Sequence, residues 1–277
     1  ILYRLVGSEM CIRDSYIVSH RNSTKWFHFV FARKISQNSW EYHLMASEDT
    51  QININDLSFD IEGKTLLHNT NLSLNGDGIT VLLGANGAGK TILLKLLTGL
   101  LIPCSGSITF EGGNLSIKTR AFVSQEPVIL RRTVLKNMLF VLEKITSEKS
   151  TLAKELLSLM GLDKKEHQNA LTLSAGEKQR LCLARAIITD PEILLLDEPT
   201  ANIEPNSTTL IEKYLIQKVR SSRKIFFVTH DINQARRLAD EIVFIHNGRV
   251  IEHSSAENFF ENPKTREARK YISGKIN

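Results

Sequence analysis

The sequence predicts an α/β fold: a mixed central sheet, an antiparallel strand group on its N-terminal side and a helical insertion. Three observations carry that prediction. Glycine-rich GANGAGKT sits between an apolar run, GITVLLG, and a second apolar run, ILLKLLTGLL, which reads as strand, phosphate-binding turn and helix. Further on, ILLLDE ends in Asp197 and Glu198, as a buried strand delivering carboxylates to a sheet edge would. Ahead of both lie the alternating runs QININDLSF and TLLHNTNLSL, which read as paired antiparallel strands.

Taken in order, residues 1–44 stand apart. Ser8 to Ser15, SEMCIRDS, resembles the translation of a transposon-end adapter, and the run after it sustains a period of neither two nor 3.6. Residues 1–44 are therefore expected to be a non-native or disordered extension, the structural alternative being an N-terminal strand or anchor, with the natural start at Met45 and the folded domain over 45–277.

From Gln51 the pattern is regular. The strand pair leads to Gly78–Gly84, the buried strand that feeds the glycine-rich loop. Gly84, Gly87 and Gly89, with Ala85, Asn86 and Ala88 between them, let the backbone turn so that N–H groups and a helix start can surround phosphate. Lys90 brings a positive charge to terminal phosphates and Thr91 a hydroxyl to Mg²⁺. Gln125 follows the strand AFVS, where its amide can reach a metal ion or a water. A helical insertion is expected from about Pro127 to Leu171; within it Val128, Ile129 and Leu130 are either a partner surface or core. Ser174, Ala175, Gly176 and Glu177 have the S-x-x-E spacing of a capping box, which makes them a helix start and equally an anion site. Asp197 is placed to hold the metal ion, and Glu198 to orient or deprotonate a water. KIFFVTHD is a third apolar strand, and His230 at its end can stabilise developing negative charge. DEIVFIHNGRVIE is a hairpin turned by Asn247-Gly248, and short helices follow it.

Composition narrows the classes. The net charge of +5 over 277 residues is dispersed, so it fits a solvated surface and gives no basic patch for nucleic acid. The three cysteines are far apart without CxxC spacing, which excludes a disulfide framework or zinc site of the usual pattern. The most apolar runs fall short of the ~20 residues that a membrane span needs.

The order GANGAGKT, Gln125, LSAGEKQR, ILLLDEP, His230 resembles the ATP-binding subunits of ATP-binding-cassette transporters, most closely those of bacterial tungstate importers. The resemblance implies an α/β P-loop NTPase cassette over 45–277 with an N-terminal antiparallel β subdomain and a helical subdomain at about 127–171. It implies a Mg²⁺-dependent ATPase with Glu198, His230, Lys90 and Gln125 in catalysis and Thr91, Gln125 and Asp197 around the metal ion. It implies ATP contacts from Gly84 through Ile92, with an adenine contact at Ile61 or, failing that, Phe59. Ser174 to Glu177 would reach the ATP of a second copy arranged head to tail. The remaining implied partners are membrane permease subunits and, indirectly, a substrate-binding protein, with the cassette peripheral on the cytoplasmic face of the bacterial membrane and no nucleic acid involved.

This sequence departs from the family's pattern in five places. Ala175 stands where the family usually has glycine, Glu177 where it has glutamine, and Glu204 where it has aspartate. Ile61 replaces an aromatic residue, and Ile92 a frequent hydroxyl. Together they imply a measurable but partner-dependent ATPase rate. The readings kept open beside tungstate import are phosphate or other import, and a weakly catalytic ATP-dependent regulator.

Overall fold

The computed structural model describes residues 51–111, 120–201, 203–219 and 223–275, with the backbone of 15–17, 29–36 and 39–45. The chain divides into two units, Ile1–Thr50 and Gln51–Asn277. In the first, β1 (Ser15–Ile17), β2 (Phe29–Ser36) and β3 (Ser39–Met45) form an antiparallel sheet in that order. Apart from the Ser15 backbone, the adapter-like stretch lies outside the described residues.

In the second unit, β4 (Gln51–Ile61) and β5 (Lys64–Asn75) pair antiparallel, as their alternation predicts. Ile52, Ile54, Leu57, Phe59, Leu67, Leu72 and Leu74 are buried from this pair. β6 (Gly78–Leu83) then enters a second sheet and runs through the glycine-rich loop into α1 (Lys90–Thr98). The apolar run predicts helix as far as Leu101, but Gly99 takes φ 76° and ends α1 at Thr98. β7 (Ser105–Glu111) returns to β4, completing a three-stranded sheet of order β5-β4-β7.

β8 (Arg120–Val123) is followed by the helical insertion. Thr133 caps α2 (Val134–Leu139) by accepting from the Lys136 N–H, and Thr146 caps α3 (Ser147–Leu159) by accepting from the Lys149 N–H. Ala153, Leu156 and Leu157 of α3 and Met138 of α2 supply its buried side. α4 (Ala175–Ile187) leads back to β9 (Ile193–Asp197). Then come α5 (Pro205–Val219), β10 (Lys224–Val228), α6 (Ile232–Leu238), β11 (Glu241–His246), β12 (Arg249–Ser255), α7 (Ala256–Glu261) and α8 (Arg266–Ile272).

The large sheet has the order β12-β11-β6-β10-β9-β8, parallel except for β12. Its central strands β6, β9, β10 and β11 are buried on both faces, which is why they read as continuous apolar runs. Alternate residues feed two cores. Leu196, Phe227 and Phe244 face the helical side, whereas Leu195, Phe226 and Ile245 face α1 and the smaller sheet. Each such side chain contributes roughly 1.5–3 kcal/mol on burial. The parallel order brings the ends of β6, β8, β9 and β10 to one edge, where the glycine-rich loop, Gln125, Asp197, Glu198 and His230 lie.

Candidate active site

The phosphate-type loop is built from backbone. Gly84 has φ 148°, and a Cβ there would lie 2.1 Å from the Ile245 carbonyl oxygen, so only glycine fits. The β11–β12 turn supports the loop from outside: the Gly248 N–H donates to Ala88 O at 3.0 Å, and the His68 N–H donates to Gly248 O at 2.8 Å. α1 begins without a side-chain cap and without an acid in its first turn. Its first amides, with the positive end of the helix, therefore face the loop ready for an anion.

Lys90 is buried, and its Nζ donates to Gly84 O at 2.7 Å and Ala85 O at 2.9 Å. Burial pushes its pKa down, opposed by the charges of Glu198 and Asp197. Thr91 Oγ1 donates to Asp197 Oδ2 at 2.8 Å. Asp197 is buried, and desolvation raises its pKa despite that bond.

Glu198 leaves β9 with φ 47°, a left-handed conformation that costs a non-glycine residue on the order of 1–3 kcal/mol. Its backbone N–H donates to Val228 O at 3.1 Å, which holds the turn against the end of β10. The carboxylate is thereby aimed into the cleft, where its Oε2 accepts from Gln125 Nε2 at 3.2 Å and lies 3.4 Å from His230 Nδ1. Thus residues after three different strands meet on one oxygen.

These groups line a cleft of about 960 Å³ that includes Gly84 through Ile92, Gln125, Glu198 and His230. Asp197 sits behind it through Thr91. Ile61 is not brought there: it lies at the exposed end of β4, outside the lining. Phe59 is buried in the core and cannot serve instead. The residue of the smaller sheet that does line the cleft is Leu66.

Ser174 to Glu177 also lie outside this cleft, at the start of α4. The capping box forms as its spacing predicts: Ser174 Oγ accepts from the Glu177 N–H at 3.3 Å, and Glu177 Oε2 from the Ser174 N–H at 3.0 Å. Glu177 Oε1 also takes Lys165 Nζ at 2.6 Å, and the hydrogen bond from Lys165 holds its carboxyl below the ordinary value. The ion pair thus offsets the charge that replaces a neutral amide here.

A larger groove of about 1130 Å³ opens between β8, the helical insertion and α4. The alternatives for Val128 to Leu130 divide. Val128 is 66% exposed and lines the groove, whereas Ile129 packs on the core. Two α4 side chains hold this segment by its backbone: Gln179 Nε2 donates to Ser124 O at 3.2 Å and Arg185 to Val128 O at 2.8 Å.

Sequence reading did not find Leu66, Ala201, Ile232, Tyr271 and Gly274, all of which line the cleft. Ala201 and Ile232 follow motif residues closely and could have been inferred by proximity. Tyr271 carries no local signal, because only the path of α8 brings it there.

A family model described as ABC transporter matches residues 67–201. The chain is 37% identical over 216 residues, 76% of its length and 100% of the relative's, to the tungstate uptake system ATP-binding protein of Peptoclostridium acidaminophilum. It is 32% identical over 76% of its length, and 93% of the relative's, to a phosphate import ATP-binding protein of Campylobacter jejuni. It is 33% identical over 74% of its length, and 64% of the relative's, to a methionine import ATP-binding protein of Staphylococcus haemolyticus. In fold it is similar to a solved ATP-binding subunit of an ABC transporter, with TM-score 0.71 and 21% identity over 80% of this chain and 98% of that one.

Proposed function

Because the chain belongs to the ABC transporter ATP-binding family and is an ATPase, we propose that it energises an importer by hydrolysing ATP in the cleft above the glycine-rich loop. The observation that carries this reading is the meeting of Gln125 and His230 on one Glu198 oxygen, in the cleft that the loop lines. The loop amides and the start of α1 bind the phosphates, and Lys90 adds its charge to the β- and γ-phosphates. Glu198 orients a water toward the γ-phosphorus and accepts its proton as the bond to the β–γ bridging oxygen breaks. His230 stabilises the charge that develops on the γ-phosphoryl oxygens.

The residues fit Mg²⁺. Asp197 is a buried carboxylate bonded to the Thr91 hydroxyl, and Gln125, donating through its amide nitrogen, keeps its amide oxygen as an acceptor. Thr91, Asp197 and Gln125 would hold the ion, which would neutralise phosphate charge and so favour phosphoryl transfer.

The capped start of α4 lies outside its own cleft, which supports a second copy as the other half of the site. Two chains arranged head to tail would set each α4 start against the other's nucleotide in an isologous dimer. ATP that contacts both copies only when they are closed would favour closure by differential binding. The groove beside Val128 and Arg185 is the surface we assign to a permease helix. Among the described residues no helix is long and apolar enough to cross a membrane, so the permease would supply the membrane path.

For cargo we propose tungstate or a related oxyanion, supported by the tungstate relative; phosphate is the alternative. Cargo is selected away from this cleft, which holds nucleotide and is common to import proteins of different solutes. The test is reconstitution with the permease subunits that co-purify with the chain. ATP-dependent uptake of tungstate that is lost in Glu198→Gln supports the whole reading; uptake of a different solute keeps the ATPase and removes the cargo, and no phosphate release above the Glu198→Gln background removes the ATPase.

A further inference from the structure

We propose that Gln234 is a positioning residue for hydrolysis, setting His230 against Glu198 through the hydroxyls of Thr200 and Thr229. The inference rests on the ATPase reading above and extends it to a buried side chain of α6 outside the nucleotide cleft.

His230 needs such a hold. Its side chain is 64% exposed and meets Glu198 Oε2 at 3.4 Å, so its place is set by the backbone on either side rather than by packing around the ring. Both neighbours are tied down. Thr229 Oγ1 accepts from the Asp231 N–H at 3.0 Å, which closes the turn over His230, and Asp231 accepts from the N–H groups of Asn233 and Gln234 at the start of α6. On the Glu198 side, the Ala201 N–H donates to Glu198 O at 3.3 Å and the Ile203 N–H to Thr200 O at 3.1 Å, so Thr200 belongs to the turn that leaves Glu198.

Gln234 joins these two turns, and charge fixes the direction of its bonds. Gln234, Thr229 and Glu212 are all buried. Glu212 on α5, held by Arg237 Nε at 3.1 Å and Nη2 at 2.9 Å, only accepts as a carboxylate, so the Gln234 atom that meets it at 2.9 Å is Nε2. Gln234 Oε1 is thereby turned to Thr229, whose hydroxyl donates to it at 2.8 Å and keeps its lone pairs for Asp231. Nε2 also donates to Thr200 Oγ1 at 3.0 Å, and that hydroxyl returns a bond to Oε1 at 3.3 Å. One planar amide thus spans the residue two after Glu198 and the residue before His230, with its orientation imposed from α5. Gln234 also lies in the wall of a cavity of about 550 Å³ that shares Glu198 and His230 with the nucleotide cleft. It acts on the geometry of the reacting pair and leaves the phosphate loop untouched.

Gln234→Met tests this, because it keeps the length of the side chain, removes the amide and leaves both Arg237 bonds on Glu212. On the complex reconstituted with its permease subunits, kcat for phosphate release should fall about ten-fold while Mg-ATP affinity, read by calorimetry, stays within about two-fold. A double-mutant cycle with Glu198→Gln separates positioning from packing: once the carboxylate is gone, Gln234→Met should cost no more than about two-fold. Thr229→Val should reproduce the fall in kcat, and Thr229→Ser should restore the rate by returning the hydroxyl. An unchanged kcat, an equal loss of affinity, or losses that add in the cycle overturn the proposal and leave Gln234 a packing residue. If Gln234→Met does not fold, the two Thr229 variants decide by the same criteria. Should the unmutated complex release no phosphate, it is the ATPase reading that falls, and amide hydrogen exchange over 198–201 and 229–231 decides the positioning: acceleration in Gln234→Met supports it and unchanged exchange refutes it.

Discussion

At Glu198 a strained backbone and a shared carboxylate coincide. A left-handed φ of 47° is tolerated because the Val228 carbonyl and the ends of two strands over-determine the turn. Glu198→Gln should keep nucleotide affinity and lower phosphate release roughly a hundred-fold or more, the range for loss of a general base; a colorimetric phosphate assay on the reconstituted complex reads it. Gly84 is the second decisive residue. Gly84→Ala places a methyl 2.1 Å from a backbone oxygen that cannot yield, so the loop must move. ATP binding, followed by calorimetry, should be lost while the far-UV circular dichroism of the sheet stays near that of the unmutated chain.

For the elements, α4 asks whether its first turn is only a cap. Loss of the Ser174 cap in Ser174→Ala should cost about 1 kcal/mol in urea unfolding without nucleotide. Ser174→Asp separates the two roles, because aspartate caps as well as serine but adds a negative charge where a partner's phosphate would approach. Stability should then be kept while ATP-driven dimerisation, weighed by light scattering in the Glu198→Gln background, is lost. A dimer that forms unchanged would leave α4 a structural helix. A second network works behind the site: Gln234 accepts from Thr229, exchanges bonds with Thr200 and donates to Glu212, which also takes two bonds from Arg237. It ties the segment after Glu198 to the segment before His230, so the distance between those two side chains depends on a buried amide that no motif contains.

Across the whole molecule, the edge of the large sheet opposite the cleft carries a buried charge cluster. Lys224 Nζ donates to Glu241 Oε1 and to Asp77 O, each at 2.9 Å, and Glu241 also bonds Thr80 and His253. Burial alone would raise the Glu241 pKa, but His253, Lys224 and Thr80 outweigh it and hold the carboxyl at about 2. Since the folded value lies below the ordinary 4.5, this carboxylate's contribution to stability is complete above about pH 4.5 and is lost as pH falls toward 2. Burial lowers the Lys224 pKa, so the pair's net effect is smaller than Glu241 alone implies. Glu241→Gln should destabilise the chain by about 3–5 kcal/mol at neutral pH, because it strands a buried ammonium, and should flatten the acid side of the stability profile measured by urea titration.

By itself the sequence determined the elements and the chemistry within single segments. GANGAGKT specified a phosphate turn because glycine positions and a following helix are local facts, ILLLDE specified carboxylates at a strand end, and S-x-x-E specified a cap. Only the tertiary structure decided what meets. It joined Gln125, Glu198 and His230 on one oxygen, left Ile61 outside the cleft, kept Ser174 to Glu177 away from their own chain's nucleotide loop and brought Tyr271 to the cleft wall. The physical reason is that parallel strand order and helix path fix these distances through packing between segments far apart in the chain. Periodicity and spacing report only the neighbours that a residue has along its own strand or helix.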